Sequence, residues 1–331
     1  MLCKKCGKET TLGNYCSHCG AFLSAGVQEI SLMELKKMWS VTHYKRIKEK
    51  TKYDYENIWK KFSAYYDTPF THIRASDIQN LIDSNSHLSK STLNQIKVLY
   101  SLLCKFAVNE RIVPPNYKAY LYNSGVKKKT VEIFSDREIV KLKECADKKE
   151  SRYWKDARIV MCLIFLGYRP NELFSITYDK IFLKEKFIVS GSKTEAGDNR
   201  FVPIPDIIIR YVSEIYVHSF IYKKNSRFLF QNQKGNRINL DNWRYRNFYP
   251  LMEELEINDK FLKDNRIKPY SARHTFASLC FRANVSDAIK IKMIGHTDVS
   301  LTNEIYTHVN VEQYRQEIEK IDKLATSFTL E

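Results

Sequence analysis

Between residue 31 and about residue 122, apolar positions recur every three or four residues, the period of helices that bury one face. Leu32, Leu35, Met38 and Trp39 share one such face, and Tyr55, Ile58, Trp59, Phe62 and Tyr65 share a second. Residues 71–75 read as a turn, after which Ser76 caps a helix over residues 77–82. Ser91 and Thr92 open a longer helix whose stripe runs through Leu93, Ile96, Leu99, Tyr100, Leu103 and Phe106, and Pro114-Pro115 ends it.

A second series of patterns starts at Ser135, which with Glu138 three residues later forms the signature of a capped helix start. Residues 153–166 are apolar enough for a buried helix that stops at Gly167. The period then shortens. Ile181-Phe182, Phe187-Ile188-Val189 and Phe201-Val202-Pro203-Ile204 read as strands, the last two separated by a polar hairpin over residues 191–200. Residues 206–262 return to helices around a possible short strand over residues 228–231. Pro269 suits the first turn of a further helix, on which Tyr270 and Arg273, three apart, share a face. Ala288, Ile289, Ile291 and Ile294 mark another helix that breaks at Gly295-His296, and Val311, Tyr314, Ile318, Ile321 and Leu324 form a final amphipathic stripe. The chain is therefore expected to be mainly α with a small β-sheet.

Charge divides this helical chain. Of a net +16, residues 31–130 supply 18 lysines and arginines against 8 acids, whereas residues 131–331 carry 33 against 28. A basic segment beside a nearly balanced one suggests a polyanion-gripping unit next to a chemistry-bearing unit; lysine-rich solubility is the bland alternative. Asn123-Ser124-Gly125 followed by three lysines reads as a linker, giving expected domains over residues 31–123 and 131–331 with residues 124–130 between them. The longest apolar run, residues 159–166, is too short to span a bilayer, and the chain opens on cysteines in place of a signal sequence. A cytoplasmic protein is expected.

Four of the eight cysteines lie in the first 19 residues, as Cys3-x-x-Cys6 and Cys16-x-x-Cys19, each pair followed by glycine. Four thiolates in that pattern suit tetrahedral zinc, and a segment over residues 1–25 too short for its own core would take its fold from the metal. It resembles the short zinc ribbons at the ends of many proteins. His18, inside the second pair, reads as a bystander. Cys104, Cys145, Cys162 and Cys280 sit in apolar patterns and read as buried core thiols.

The candidate chemistry is scattered. Arg169 stands at a helix junction with Glu172 three residues on, able to orient its guanidinium; Lys193 sits on the polar hairpin; Arg273, His296 and Tyr306 follow late in the chain. Singly, these read as a salt-bridged arginine, a solvated lysine, a helix-end histidine and a half-buried tyrosine. Together they suit phosphoryl transfer, in which guanidinium groups neutralise charge on nonbridging oxygens.

Their order resembles that of the tyrosine recombinases, the integrases of phages and conjugative transposons. LGYRPNEL resembles the first-arginine motif, SKTEAGDNRFVPIP the lysine hairpin, YSARHTFAS the His-x-x-Arg box and IGHTDVSLTNEIYTH the histidine-then-tyrosine box. The resemblance covers about residues 31–325 and implies a helical, SAM-like core-binding domain plus a mixed α/β catalytic domain. It also implies site-specific recombination of double-stranded DNA. In that scheme Tyr306 is the nucleophile that forms a 3′-phosphotyrosyl link, Arg169, Arg273 and His296 hold the phosphate, and Lys193 is the general acid. No catalytic metal or ATP is implied. A homotetramer on synapsed attachment sites follows, with the last helix docking on a neighbouring protomer and accessory DNA-bending or directionality proteins as candidate partners. Such a protein would be nucleoid-associated and belong to a mobile element.

Tyr270 departs from the pattern, for the box normally opens with histidine. A phenol with an unperturbed pKa of ~10 is a poor proton acceptor at neutral pH, so slower cleavage is expected. Tyr270 also keeps open a retired, purely DNA-binding descendant of the family, while type IB topoisomerases and telomere resolvases share the tyrosine chemistry.

Overall fold

The computed structural model describes residues 2–3, 5–10, 16–20, 29–113, 121–122, 132–190, 200–222, 226–258, 267–295 and 311–329. Lys193, His296, Tyr306 and the basic linker lie outside the described residues. The chain divides into two compact units, Met1–Lys129 and Thr130–Glu331.

In the first unit, four helices, α1 (Leu32–His43), α2 (Glu49–Trp59), α3 (Ala75–Ser84) and α4 (Lys90–Asn109), bury most of the apolar positions read from the sequence, but Met38 is exposed and Phe62 and Tyr65 fall in a 3-10 segment after α2. Leu32, Leu35, Trp39, Phe62, Ile78, Leu93, Ile96, Leu99 and Leu103 meet in one core. Reciprocal bonds between Ser31 and Glu34 start α1, the serine hydroxyl accepting from the Glu34 N–H at 3.2 Å and the carboxylate from the Ser31 N–H at 2.9 Å. Two helix starts differ from expectation. The Asp77 carboxylate accepts the Arg74 N–H at 2.7 Å, so α3 begins at Ala75 and Ser76 lies inside it. Ser89, whose hydroxyl accepts the Thr92 N–H at 3.1 Å, caps α4, and the expected starters Ser91 and Thr92 fall in its first turn.

The second unit opens with α5 (Asp136–Asp147), started by the expected Ser135–Glu138 box, and α6 (Trp154–Leu166), buried from Ala157 to its end. Gly167 terminates α6 with φ +65°, and a Cβ there would come within 2.3 Å of the Phe276 ring. After the four-residue helix α7 (Pro170–Leu173), three antiparallel strands follow in the order β1 (Ile181–Phe182), β2 (Phe187–Ser190) and β3 (Arg200–Pro203). Ser190 pairs with Arg200 and Phe187 with Pro203. Then come α8 (Asp206–Tyr222), α9 (Leu240–Trp243), a π-helical turn over Arg244–Phe248, α10 (Tyr249–Glu254), α11 (Ser271–Arg282), α12 (Asp287–Ile294) and α13 (Val311–Ala325). No described helix is long and apolar enough to cross a membrane.

The expected strand over residues 228–231 is two isolated bridges, Thr177 to Phe228 and Gln231 to Arg237. Pro269 does not open a helix either. The Ser271 N–H donates to the Lys268 carbonyl at 2.8 Å, so Pro269 and Tyr270 form the corner of a turn and α11 starts after them. The final helix packs on its own unit in this single chain: Tyr314, Ile318, Ile321 and Ala325 are buried, and Asp322 accepts the first two N–H groups of α8 at 2.9 and 3.0 Å.

Candidate active site

The local sequence at Arg169 dictates its setting. Gly167 ends α6, Pro170 starts α7 with a backbone angle already helical, and Arg169 is left at the junction as the cap residue. Glu172 turns back on it. One carboxylate oxygen accepts Arg169 Nη1 at 2.6 Å and the other accepts the Arg169 N–H at 3.1 Å. The orienting role read from the three-residue spacing is therefore present as a direct contact.

Arg273 reaches the same place from α11. Its Nη1 donates to the Gly167 carbonyl at 3.0 Å and lies 3.9 Å from Glu172. A third guanidinium, that of Arg200 on β3, donates through Nη2 to Glu172 at 3.1 Å and through Nη1 to the Ile294 carbonyl at 2.8 Å. Thus three arginines surround one carboxylate, and only Arg169, 34% exposed, reaches solvent appreciably. Among the described residues Arg273 Nη2 is buried without a hydrogen-bond partner.

The electrostatics follow from this crowding. Burial, followed by the charges of Arg169 and Arg200, pulls the Arg273 pKa down to about 10, which leaves it protonated at neutral pH. Burial works against the charge of Glu172 too, but the bonds and charges of its arginine partners outweigh it and lower its pKa, so it is ionised. For Arg169 the burial penalty is overcome by Glu172 and then by Tyr270, and its pKa rises. A buried site with three cations, one anion and, among the described residues, two N–H donors without partners (Arg273 Nη2 and Arg200 Nε) is suited to a further anion.

Tyr270, at the turn before α11, is 44% exposed, and its ring lies 5.4 Å from that of His274. Among the described site residues, then, the structure brings together Arg169, Arg273 and, at the edge, Tyr270. Sequence reading assigned no role to Arg200. Its signal was a charged residue opening an otherwise apolar strand, easily absorbed into the polar hairpin before it.

In the first unit, the sulfurs of Cys3, Cys6, Cys16 and Cys19 all lie within 4.8 Å of one another, close enough to share one metal ion. Gly7 and Gly20 adopt φ +67° and +66°, and the N–H groups of Lys5 and His18 point at Cys3 and Cys16 at 3.4 Å each. Burial raises the Cys16 thiol, but the N–H groups of His18 and Cys19 prevail and bring its pKa to about 6. The donor set fits a thiophilic metal.

The phage integrase family profile matches residues 132–313, more than half of the chain, and takes in Arg169, Glu172, Arg200 and Arg273. The chain belongs to the phage integrase family. Its activity class is tyrosine-type, site-specific DNA recombination. Among relatives of this integrase family, tyrosine recombinase XerD of Staphylococcus haemolyticus is 26% identical over 284 residues, covering 82% of this chain and 92% of the relative. XerD of Oceanobacillus iheyensis is 26% identical over 245 residues, covering 72% and 78%. The fold is that of the Tn1549 transposon integrase, solved with a circular intermediate DNA, at a TM-score of 0.67 and 16% identity, covering 88% of this chain and 99% of that one. A lambda integrase dimer bound to a core site aligns at 0.62 and 14% identity, covering 88% and 79%.

Proposed function

We propose that this integrase cleaves and rejoins DNA strands at attachment sites of a mobile element, through a covalent 3′-phosphotyrosyl intermediate. The observation that carries the reading is the arginine cluster, in which Arg273 Nη2 is a protonated donor without a partner among the described residues. A scissile phosphodiester supplies the missing anion. Arg169 and Arg273 neutralise its nonbridging oxygens as charge builds, with His296 as a further donor. The Tyr306 oxygen forms a bond to phosphorus as the bond to the 5′ oxygen breaks. Its phenol proton leaves to solvent, and Lys193 protonates the departing 5′ oxygen. Attack by a partner strand's 5′-hydroxyl reverses the step and exchanges strands.

Tyr270 stands where the family has histidine and, beside Arg169, suits donation to a nonbridging oxygen. It also favours a second reading, a catalytically weakened or inactive DNA-binding descendant. One experiment separates the two: a nicked suicide duplex carrying the attachment site. Covalent adduct lost in Tyr306→Phe supports the enzyme, whereas tight, specific binding with no adduct supports the weakened binder.

Four protomers assemble on synapsed DNA in this reading, in the cytoplasm with the nucleoid, and α13 leaves its own unit to dock on a neighbour. Cys3, Cys6, Cys16 and Cys19 hold a structural zinc ion that fixes the fold of residues 1–25. That ribbon contacts DNA flanking the core site; unchanged affinity for flanked DNA after deleting residues 1–25 would count against the contact.

A further inference from the structure

Arg200 plays no part in the chemistry proposed above, yet its contacts tie together the pieces that carry it. It opens β3, and its side chain is 3% exposed. One nitrogen, Nη2, holds Glu172 Oε2; the other, Nη1, holds the carbonyl of Ile294, the last residue of α12. The guanidinium carbon lies 4.5 Å from the centre of the buried Tyr168 ring. Gly295, with φ +66°, completes the fit, since a Cβ there would come within 2.4 Å of Arg200 Nη1. Both terminal nitrogens of Arg200 are thus committed to protein acceptors, whereas among the described residues its inner Nε and Arg273 Nη2 have none.

Glu172 is the element this arrangement protects. Its Oε1 aims Arg169, and its Oε2 is shared by the Arg169 N–H and Arg200. Arg273 Nη1 waits 3.9 Å from that same Oε2. Were Arg200 missing, the buried carboxylate would draw on its two remaining cations, and Arg273 Nη1 closing on Oε2 would swing the guanidinium and carry Nη2, the donor left for DNA, out of its place.

We propose that Arg200 is a positioning residue for strand cleavage: by occupying Glu172 Oε2 and the Ile294 carbonyl, it fixes the carboxylate that aims Arg169 and keeps Arg273 free for the scissile phosphate. The proposal rests on the reading above, in which Arg169 neutralises a nonbridging oxygen. Its test compares two suicide duplexes, one with the natural phosphodiester and one with a methylphosphonate at the scissile position. The second lacks one nonbridging charge and so depends less on a guanidinium. Arg200→Met should slow adduct formation about 10- to 100-fold on the diester with duplex affinity held within about twofold. On the methylphosphonate it should fall within about threefold of the unmodified chain, as Arg169→Ala should too. Equal losses on both substrates, or no loss on the diester, would overturn the proposal. Failure of the methylphosphonate to rescue Arg169→Ala would instead sink the role given to Arg169. Should Arg200→Met fold poorly, it is placed in a Glu172→Gln background, where the neutral amide needs no second counter-charge. There the pair should be no slower than Glu172→Gln alone, and multiplying losses would refute action through Glu172.

Discussion

In the Arg273→Met variant a buried guanidinium gives way to an apolar chain of nearly the same reach. Burial and two neighbouring cations hold the Arg273 pKa at about 10, well below an arginine's ordinary value. That depression corresponds to roughly 3 kcal/mol of destabilisation by the charged form at neutral pH. The variant also loses the charge-assisted bond from Nη1 to the Gly167 carbonyl, about 1.5–3 kcal/mol. The balance is a gain of up to about 1.5 kcal/mol in the DNA-free protein, while cleavage is lost. Differential scanning calorimetry on the full chain should show the transition of the second unit unchanged or raised by up to roughly 6 °C. The pH dependence has a definite sign. Because the folded-state pKa lies below the unfolded one, the penalty is complete below about 10 and fades as pH rises through that value. The variant's advantage should therefore be full at pH 7–8 and shrink above about pH 10. If the site takes an anion through the guanidinium, sulfate should stabilise the unmodified protein more than the variant. A variant that melts lower than the unmodified protein at neutral pH would refute this account of the site.

Three further outcomes can be checked. Purified protein should contain one zinc per chain by elemental analysis, and chelation should collapse the amide dispersion of residues 1–25; a metal-free chain with that dispersion intact would contradict the zinc reading. Removing residues 311–331 uncovers the partners of Tyr314, Ile318 and Ile321, each worth about 1.5–3 kcal/mol, so the second unit should melt roughly 10 °C or more lower and recombination should fail; an unchanged melt would mean that α13 is not held as described. Tyr270→His should speed adduct formation by about tenfold or more if the phenol merely fills the family's histidine position, whereas a slower rate would give Tyr270 a contact of its own.

Much of this architecture was legible because the signals were local. The Ser135–Glu138 box, the glycine end of α6, the stripe of α4 and the stripe of α13 are each written within a few residues, and each helix follows its pattern. Misreadings arose where a partner outside the local pattern, or the lack of one, decided the outcome. Asp77 starts α3 before Ser76 can, and the Lys268–Ser271 turn takes Pro269 and Tyr270 out of α11. The segment over residues 228–231 is apolar but finds only single bridges, not a ladder. In the candidate site the divide is similar. Glu172 lies three residues from Arg169, so their contact could be foreseen from helix geometry. Arg200 meets Glu172 across 28 residues and Ile294 across 94, and no spacing rule reaches that far.

Gly295 has a consequence for how such an enzyme is inactivated. No bond is formed by its side chain, for it has none; its contribution is the space in which Arg200 Nη1 lies. Alanine there meets two penalties at once, a left-handed backbone and a collision with a buried cation. A random-mutagenesis screen for cleavage-dead clones that still bind DNA should therefore recover Gly295 replacements as readily as losses of the arginines. The site's vulnerability extends beyond its chemical groups to a volume that must stay empty of carbon.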